Sequence, residues 1–312
     1  MNYSGVVTQV IVLYIIIFIG AFANKIKILE DEAIGSISKI IINIGIPAII
    51  ISSLSNSDKM TAQSVSLTLL LSICCYMFMF LVGFIVAFLL KVKKENKPFY
   101  WFISMFGNVG FIGYPMVIAI LGGGAILTAS VFNVSYNLLF LSLGLYLIQM
   151  YRGLKGAEKF NYKIIVNPAI ITSVISVTLF LLKIELPQVI NKTALMIGGL
   201  TSPLATLVVG ASLNKINIKK AIKNYRVLIM GLVKMTLVPL AVAYILRWIG
   251  ISGMPAMVAV VLVGMPVGTG TVILANLYNK DHIEKAAEAT VMSTLMLILT
   301  IPILIYAVGI VS

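Results

Sequence analysis

Apolar residues run along this chain in stretches of about twenty, separated by short polar or basic segments. A helix needs about 20 apolar residues to cross the hydrocarbon core of a bilayer. That length divides the sequence into ten predicted spans, at 6–24, 33–55, 63–90, 98–122, 125–151, 163–183, 188–213, 225–249, 253–278 and 283–311. Nothing is left over for a soluble domain, so the predicted fold class is an all-α membrane protein of ten transmembrane helices. The uncharged start, Met1 to Gly5, runs straight into the first span without a basic segment or a small-residue cleavage pattern. The span therefore reads as retained rather than removed.

Two spans are broken at their centres by glycine and proline. The fourth contains Gly107-Asn108-Val109-Gly110-Phe111-Ile112-Gly113-Tyr114-Pro115, and the ninth contains Gly264-Met265-Pro266-Val267-Gly268-Thr269-Gly270-Thr271. Unwound backbone at membrane depth is tolerated only where it is buried in protein or lines a cavity, and paired discontinuous helices mark substrate sites in secondary transporters. The plainer reading, a proline kink in each of two ordinary helices, leaves the dense glycines and the polar Asn108, Thr269 and Thr271 unexplained.

Composition agrees with the pattern. With 60% hydrophobic and 11% charged residues, the 312-residue chain has too little polar surface to cover a soluble fold. The net charge of +13 would suggest a nucleic-acid partner in a soluble protein, but 17 of the 23 Lys and Arg residues lie in loops after odd-numbered spans and only 4 in the loops opposite. That asymmetry sets topology rather than a nucleic-acid surface: odd loops in the cytoplasm, both termini outside, in the plasma (inner) membrane.

Five spans per half make any repeat an inverted one, with residues 1–152 as the first repeat, 153–162 as a short cytoplasmic linker and 163–312 as the second. Ala129-Ser130-Val131 echoes Ala289-Thr290-Val291, Pro47-Ala48 echoes Pro203-Leu204, and Gly107 and Gly113 fall opposite Gly264 and Gly270.

At a break, half-helix N-termini bring partial positive charge to the membrane interior, which suits carboxylate or phosphate. Lys234 lies eight residues past Arg226, about 12 Å along a helix, and a buried lysine faces a partner or an aqueous path. Two readings stand: a counter-charge for an anion or part of a network holding the break, and a snorkelling side chain. Lys39, close to its helix end, reads as snorkelling. The ten acidic residues all fall in loops or near helix ends, so no carboxylate is expected beside Lys234. Asn133 and Asn137 share one helix face, with Ser135 and Tyr136 between them, and Ser52 and Ser53 follow Pro47. Each of these also suits ordinary interhelical hydrogen bonding. Adjacent Cys74 and Cys75 read as packing residues and the single histidine, His282, as a loop residue. No metal motif, nucleotide loop or nucleophile with a base is present, which argues against an enzyme.

The run from Gly107 to Pro115, together with Ile46-Pro47-Ala48, Ser52-Ser53-Leu54 and Tyr136-Asn137-Leu138-Leu139, resembles the auxin efflux carrier family, which includes plant PIN exporters and bacterial malate or malonate permeases. The resemblance covers essentially the whole chain. It implies two inverted five-helix repeats with broken helices 4 and 9 crossing, as in sodium-proton antiporters and bile-acid transporters. It also implies a scaffold of helices 1, 2, 6 and 7, often dimeric, beside a transport domain of helices 3–5 and 8–10 that moves elevator-fashion. Two departures stand out: helix 3 lacks the acidic residue of PIN proteins, and the long cytoplasmic loop of many plant members is replaced by about ten residues.

The expected function is secondary or facilitative transport of a small organic anion, a carboxylate such as malate, malonate or an auxin-like acid, with no cofactor. The expected binding residues are Asn108, Val109, Gly110, Pro115, Ser52, Ser53, Asn133, Tyr136, Asn137, Gly264, Pro266, Val267, Gly268, Thr269 and Lys234. A sodium-coupled symporter is the alternative, with sodium held by backbone carbonyls and by Asn108, Thr269 and Thr271; proton coupling is also open. A ligand sensor or a channel is the reading of another class.

Overall fold

The computed structural model describes residues 3–56, 61–150, 168–214, 224–278 and 283–312. The linker 153–162 and His282 lie outside them. Among the described residues every regular element is helical. In chain order they are α1 (Tyr3–Lys25), α2 (Asp31–Ile40), α3 (Ile46–Ser52), α4 (Ala62–Leu89), α5 (Lys97–Met105), α6 (Tyr114–Leu121), α7 (Ile126–Leu139), α8 (Leu145–Met150), α9 (Pro168–Leu181), α10 (Gln188–Leu213), α11 (Tyr225–Leu232), α12 (Val238–Trp248), α13 (Met254–Val263), α14 (Gly270–Tyr278) and α15 (Ile283–Val311).

Among the described residues, six continuous helical stretches are long and apolar enough to cross a membrane: 31–52, 62–89, 123–148, 188–211, 225–248 and 283–311. Shorter apolar helices lie at 11–25, 109–121, 168–181 and 254–263. Their outer faces are apolar too. Along α4, Leu70, Ile73, Met77, Leu81, Phe84 and Phe88 are exposed at helical spacing, a stripe that water would not tolerate and lipid does. The protein is a multi-pass membrane protein.

Several helices are joined by single π turns, and their position has a local cause. Ile41–Gly45, Val109–Gly113 and Val233–Leu237 each end two residues before a proline, namely Pro47, Pro115 and Pro239. Proline brings no N–H and its ring clashes with the carbonyl four residues back. The preceding turn therefore opens to a longer ring: Ile46 N–H bonds the Ile41 carbonyl and Val238 N–H the Val233 carbonyl. A fourth π turn, Phe140–Gly144, has no proline. There a Cβ on Gly144 would lie 3.0 Å from ring carbons of both Phe102 and Phe106.

The chain divides into two compact units. The first comprises Met1–Leu69, Gly110–Val134 and Val166–Lys215. In it α10 packs on α1 and α3, and α9 packs on α3. The α1–α10 contact is backbone-close: a Cβ on Gly20 would strike the Leu207 carbonyl, and one on Gly210 the Ile17 carbonyl. The second unit comprises Leu70–Val109, Ser135–Ile165 and Ile216–Ser312. Its centre is α15, packed on α11, α12, α13 and α14, and both predicted helix breaks have residues in it.

Candidate functional site

In the second unit, α5 ends where Phe106 turns extended, at φ −99° and ψ 104°. The next residue, Gly107, forms an isolated antiparallel bridge with Val267. Asn108 N–H donates to the Pro266 carbonyl at 2.7 Å and Gly268 N–H to the Phe106 carbonyl at 3.2 Å. The two sequence breaks are thus one structure: extended segments 106–108 and 266–268 satisfy each other's backbone, which hydrocarbon cannot do. Glycine is needed for this approach. A Cβ on Gly268 would lie 2.9 Å from the Gly107 carbonyl oxygen, and one on Gly107 would lie 3.2 Å from that of Met265.

Helix α15 holds the second segment. Val267 N–H donates to Ser293 Oγ at 2.9 Å, Ser293 Oγ in turn donates to the Ala289 carbonyl at 2.7 Å, and Thr290 Oγ1 donates to the Gly268 carbonyl at 3.3 Å. Neither Thr290 nor Ser293 was among the expected site residues. The signal was present, since Ala289-Thr290-Val291 is half of an internal echo and Ser293 lies on the same helix face as Thr290. Ser293→Ala would leave a buried N–H unsatisfied, at a cost of about 1–3 kcal/mol. Thermal unfolding of the purified protein should show that loss, with Ser293→Thr retaining most of the stability.

Beyond the bridge the chain re-enters helix at α14, with Thr271 N–H bonded to the Gly268 carbonyl at 3.0 Å and Val272 N–H to that of Thr269 at 3.1 Å. The Thr271 side chain is 0% exposed and its hydroxyl has no hydrogen-bond partner among the described residues. A buried donor at a helix N-terminus is suited to an anion. Thr269 is half-buried beside it, while Gly264 and Pro266 are buried.

Lys234 occupies the π turn before Pro239 and is 1% exposed. The snorkelling reading is therefore set aside. Its Nζ donates to the Ile103 carbonyl at 3.2 Å, in the last turn of α5. The partner is a helix C-terminus, not a carboxylate. A buried carboxylate does exist elsewhere in the unit: Glu288 on α15 is 6% exposed and accepts a bond from Asn224 Nδ2 at 3.2 Å.

Aromatic rings flank the bridge on the α7 side. Tyr136 stacks on Phe140 at 5.4 Å and meets Phe106 edge-on at 5.9 Å. Tyr136 and Asn137 are half-buried, and Ser135 Oγ accepts a bond from Ser72 Oγ at 2.6 Å.

Asn108, Val109, Pro266, Val267, Gly268, Thr269, Lys234, Tyr136 and Asn137 thus share the second unit. Ser52, Ser53, Gly110, Pro115 and Asn133 belong to the first. There Ser52 and Ser53 donate to the Ile49 and Ile50 carbonyls at 2.9 and 2.6 Å, and Asn133 bonds the Tyr114 side chain. Pro115 is buried near the start of α6, and Gly110 lies in the π turn before it. The two cysteines are unpaired, Cys74 exposed and Cys75 buried. Among the described residues no group of three or more His, Cys, Asp or Glu side chains is placed to hold a metal ion.

Comparison with known proteins adds a family. The model of the membrane transport protein family matches residues 5–305. An uncharacterized transporter of Methanocaldococcus jannaschii is 25% identical over 298 residues, covering 94% of this chain and 95% of its own. One from Methanothermobacter thermautotrophicus is 23% identical over 307 residues, covering 97% and 98%.

Proposed function

The chain belongs to the auxin efflux carrier family of membrane transport proteins, and from that premise we propose that it is a secondary carrier of a small organic anion, most simply a carboxylate. One observation carries the reading: segments 106–108 and 266–268 pair through their backbones inside the second unit. The pairing brings the N-terminus of α14, with the buried Thr271 hydroxyl, beside the bridge. The partial positive charge of a helix N-terminus and a buried hydroxyl donor favour a carboxylate without a metal. Asn108, Thr269, Tyr136 and Asn137 are the further side chains of the same unit proposed to line the site.

The chain is proposed to cross the plasma membrane ten times, with both termini outside, as the basic-loop asymmetry supports. Two inverted five-helix repeats fit the matched breaks. Transport is proposed to proceed by alternating access, helices 3–5 and 8–10 moving against helices 1, 2, 6 and 7, through which a homodimer would form.

The test is thermal unfolding of the purified protein against a panel of mono- and dicarboxylates, with organic amines as controls. A ligand that binds only the folded protein at a hundredfold excess over Kd stabilises it by about 2.7 kcal/mol. The expected result is selective stabilisation by a carboxylate. Stabilisation by amines alone would contradict the reading. Thr271→Val sharpens the experiment: removing an unsatisfied buried hydroxyl leaves ligand-free stability unchanged or raised, whereas stabilisation by the carboxylate should fall.

A further inference from the structure

The end of α5 contains an unbalanced charge and the group that balances it. Phe106 N–H closes the last helical bond, to the Phe102 carbonyl at 3.0 Å, and Asn108 N–H leaves the helix for Pro266. The Ile103 carbonyl next in line receives Lys234 Nζ instead. A helix C-terminus carries partial negative charge from such carbonyls and favours a cation. Ile103 lies in the last turn of α5, four residues before Gly107. The ammonium is supplied by a turn that Pro239 has already opened.

We propose that Lys234 is the resident cation of the paired breaks, its ammonium held at the C-terminal end of half-helix α5 so that the carrier works without a sodium ion there. This rests on the transport reading and deepens it by excluding sodium as a coupling ion at the paired breaks. It also gives Lys234 the role of a positioning residue rather than a substrate contact. The argument against sodium is electrostatic. A second buried cation within one helical turn of the ammonium would meet strong repulsion, because burial removes the water that would screen it. Lys234 thus fills the role that a sodium ion held by carbonyls would have.

The experiment needs no substrate, so its failure is distinct from failure of the anion reading. Unfolding temperatures are compared in sodium, potassium and N-methylglucamine chloride for the wild-type chain and for Lys234→Ala, Lys234→Met and Lys234→Arg. The wild type should unfold at the same temperature in all three salts. Lys234→Ala should unfold lower and recover with rising ethylammonium, a cation small enough for the space left, but not with tetrabutylammonium. If Lys234→Ala does not fold, Lys234→Arg, which keeps the charge, should remain near the wild type, while Lys234→Met, similar in length and uncharged, drops. Selective stabilisation of the wild type by sodium would overturn the proposal. So would equal behaviour of the Arg and Met variants, or a Lys234→Ala protein that ethylammonium leaves unchanged.

Discussion

Gly268→Val is expected to abolish transport while leaving the helices on either side folded. The added Cβ would lie 2.9 Å from the Gly107 carbonyl oxygen and 3.2 Å from its carbon. Both are backbone atoms, pinned in place by the Asn108–Pro266 and Gly268–Phe106 hydrogen bonds. No flexible side chain can give way, so the pairing must open. Overpacking of this kind typically costs about 1–3 kcal/mol and more where relaxation is blocked. Neighbouring glycines provide a graded series. At Gly107 a Cβ would lie 3.2 Å from the Met265 oxygen, a contact that a few tenths of an ångström relieve. At Gly110 its nearest neighbour is Ile46 Cδ1 at 3.6 Å, an ordinary contact. Transport in proteoliposomes should therefore fall in the order Gly110→Ala, Gly107→Ala, Gly268→Val, with circular dichroism showing unchanged helix content.

The second large effect is on stability and lies far from the paired breaks in sequence. In the first unit α1 and α10 approach closely at two points, Gly20 against Leu207 and Gly210 against Ile17. Asn214, just past α10, donates from Nδ2 to the Ala21 carbonyl at 2.6 Å and to Asn24 Oδ1 at 3.2 Å, near the end of α1, so the two helices run parallel. In lipid, helices associate through van der Waals contact rather than a hydrophobic drive, and small residues permit the approach. Gly210→Val inserts a branched side chain against the Ile17 backbone and should destabilise the protein by about 3 kcal/mol. Thermal unfolding reads this directly. Gly35→Val, at a glycine whose Cβ would meet nothing within 4 Å, should unfold near the wild-type temperature.

These two sites show what the sequence disclosed and what it withheld. Helix ends were legible: the expected spans at 63–90, 188–213 and 283–311 correspond to α4, α10 and α15 within a residue, because long apolar runs bounded by charge leave little choice. The glycine and proline breaks were legible for the same reason, since lipid forbids unpaired backbone. Their mutual pairing was not, because the register of Gly107 on Val267 is decided by tertiary contact. Ser293 was missed because a serine inside a long helix looks like any other, until Val267 N–H is found pointing at it. Lys234 was singled out as a buried charge, but its partner was sought among carboxylates. A helix C-terminus leaves no mark in composition, so the Ile103 carbonyl could be found only in three dimensions. Glu288, expected in a loop or near a helix end, is buried within α15 and accepts a bond from Asn224, a contact that only the folded chain discloses.

Counterflow in proteoliposomes tests the central claim most directly. Vesicles are preloaded with an unlabelled carboxylate chosen from the stabilisation screen, and uptake of the labelled compound is followed. A carrier built on the paired breaks should show saturable uptake that rises with internal substrate and is lost in Gly268→Val. Uptake linear in concentration and indifferent to preloading would indicate a channel, binding without flux would indicate a sensor, and either result would contradict the account.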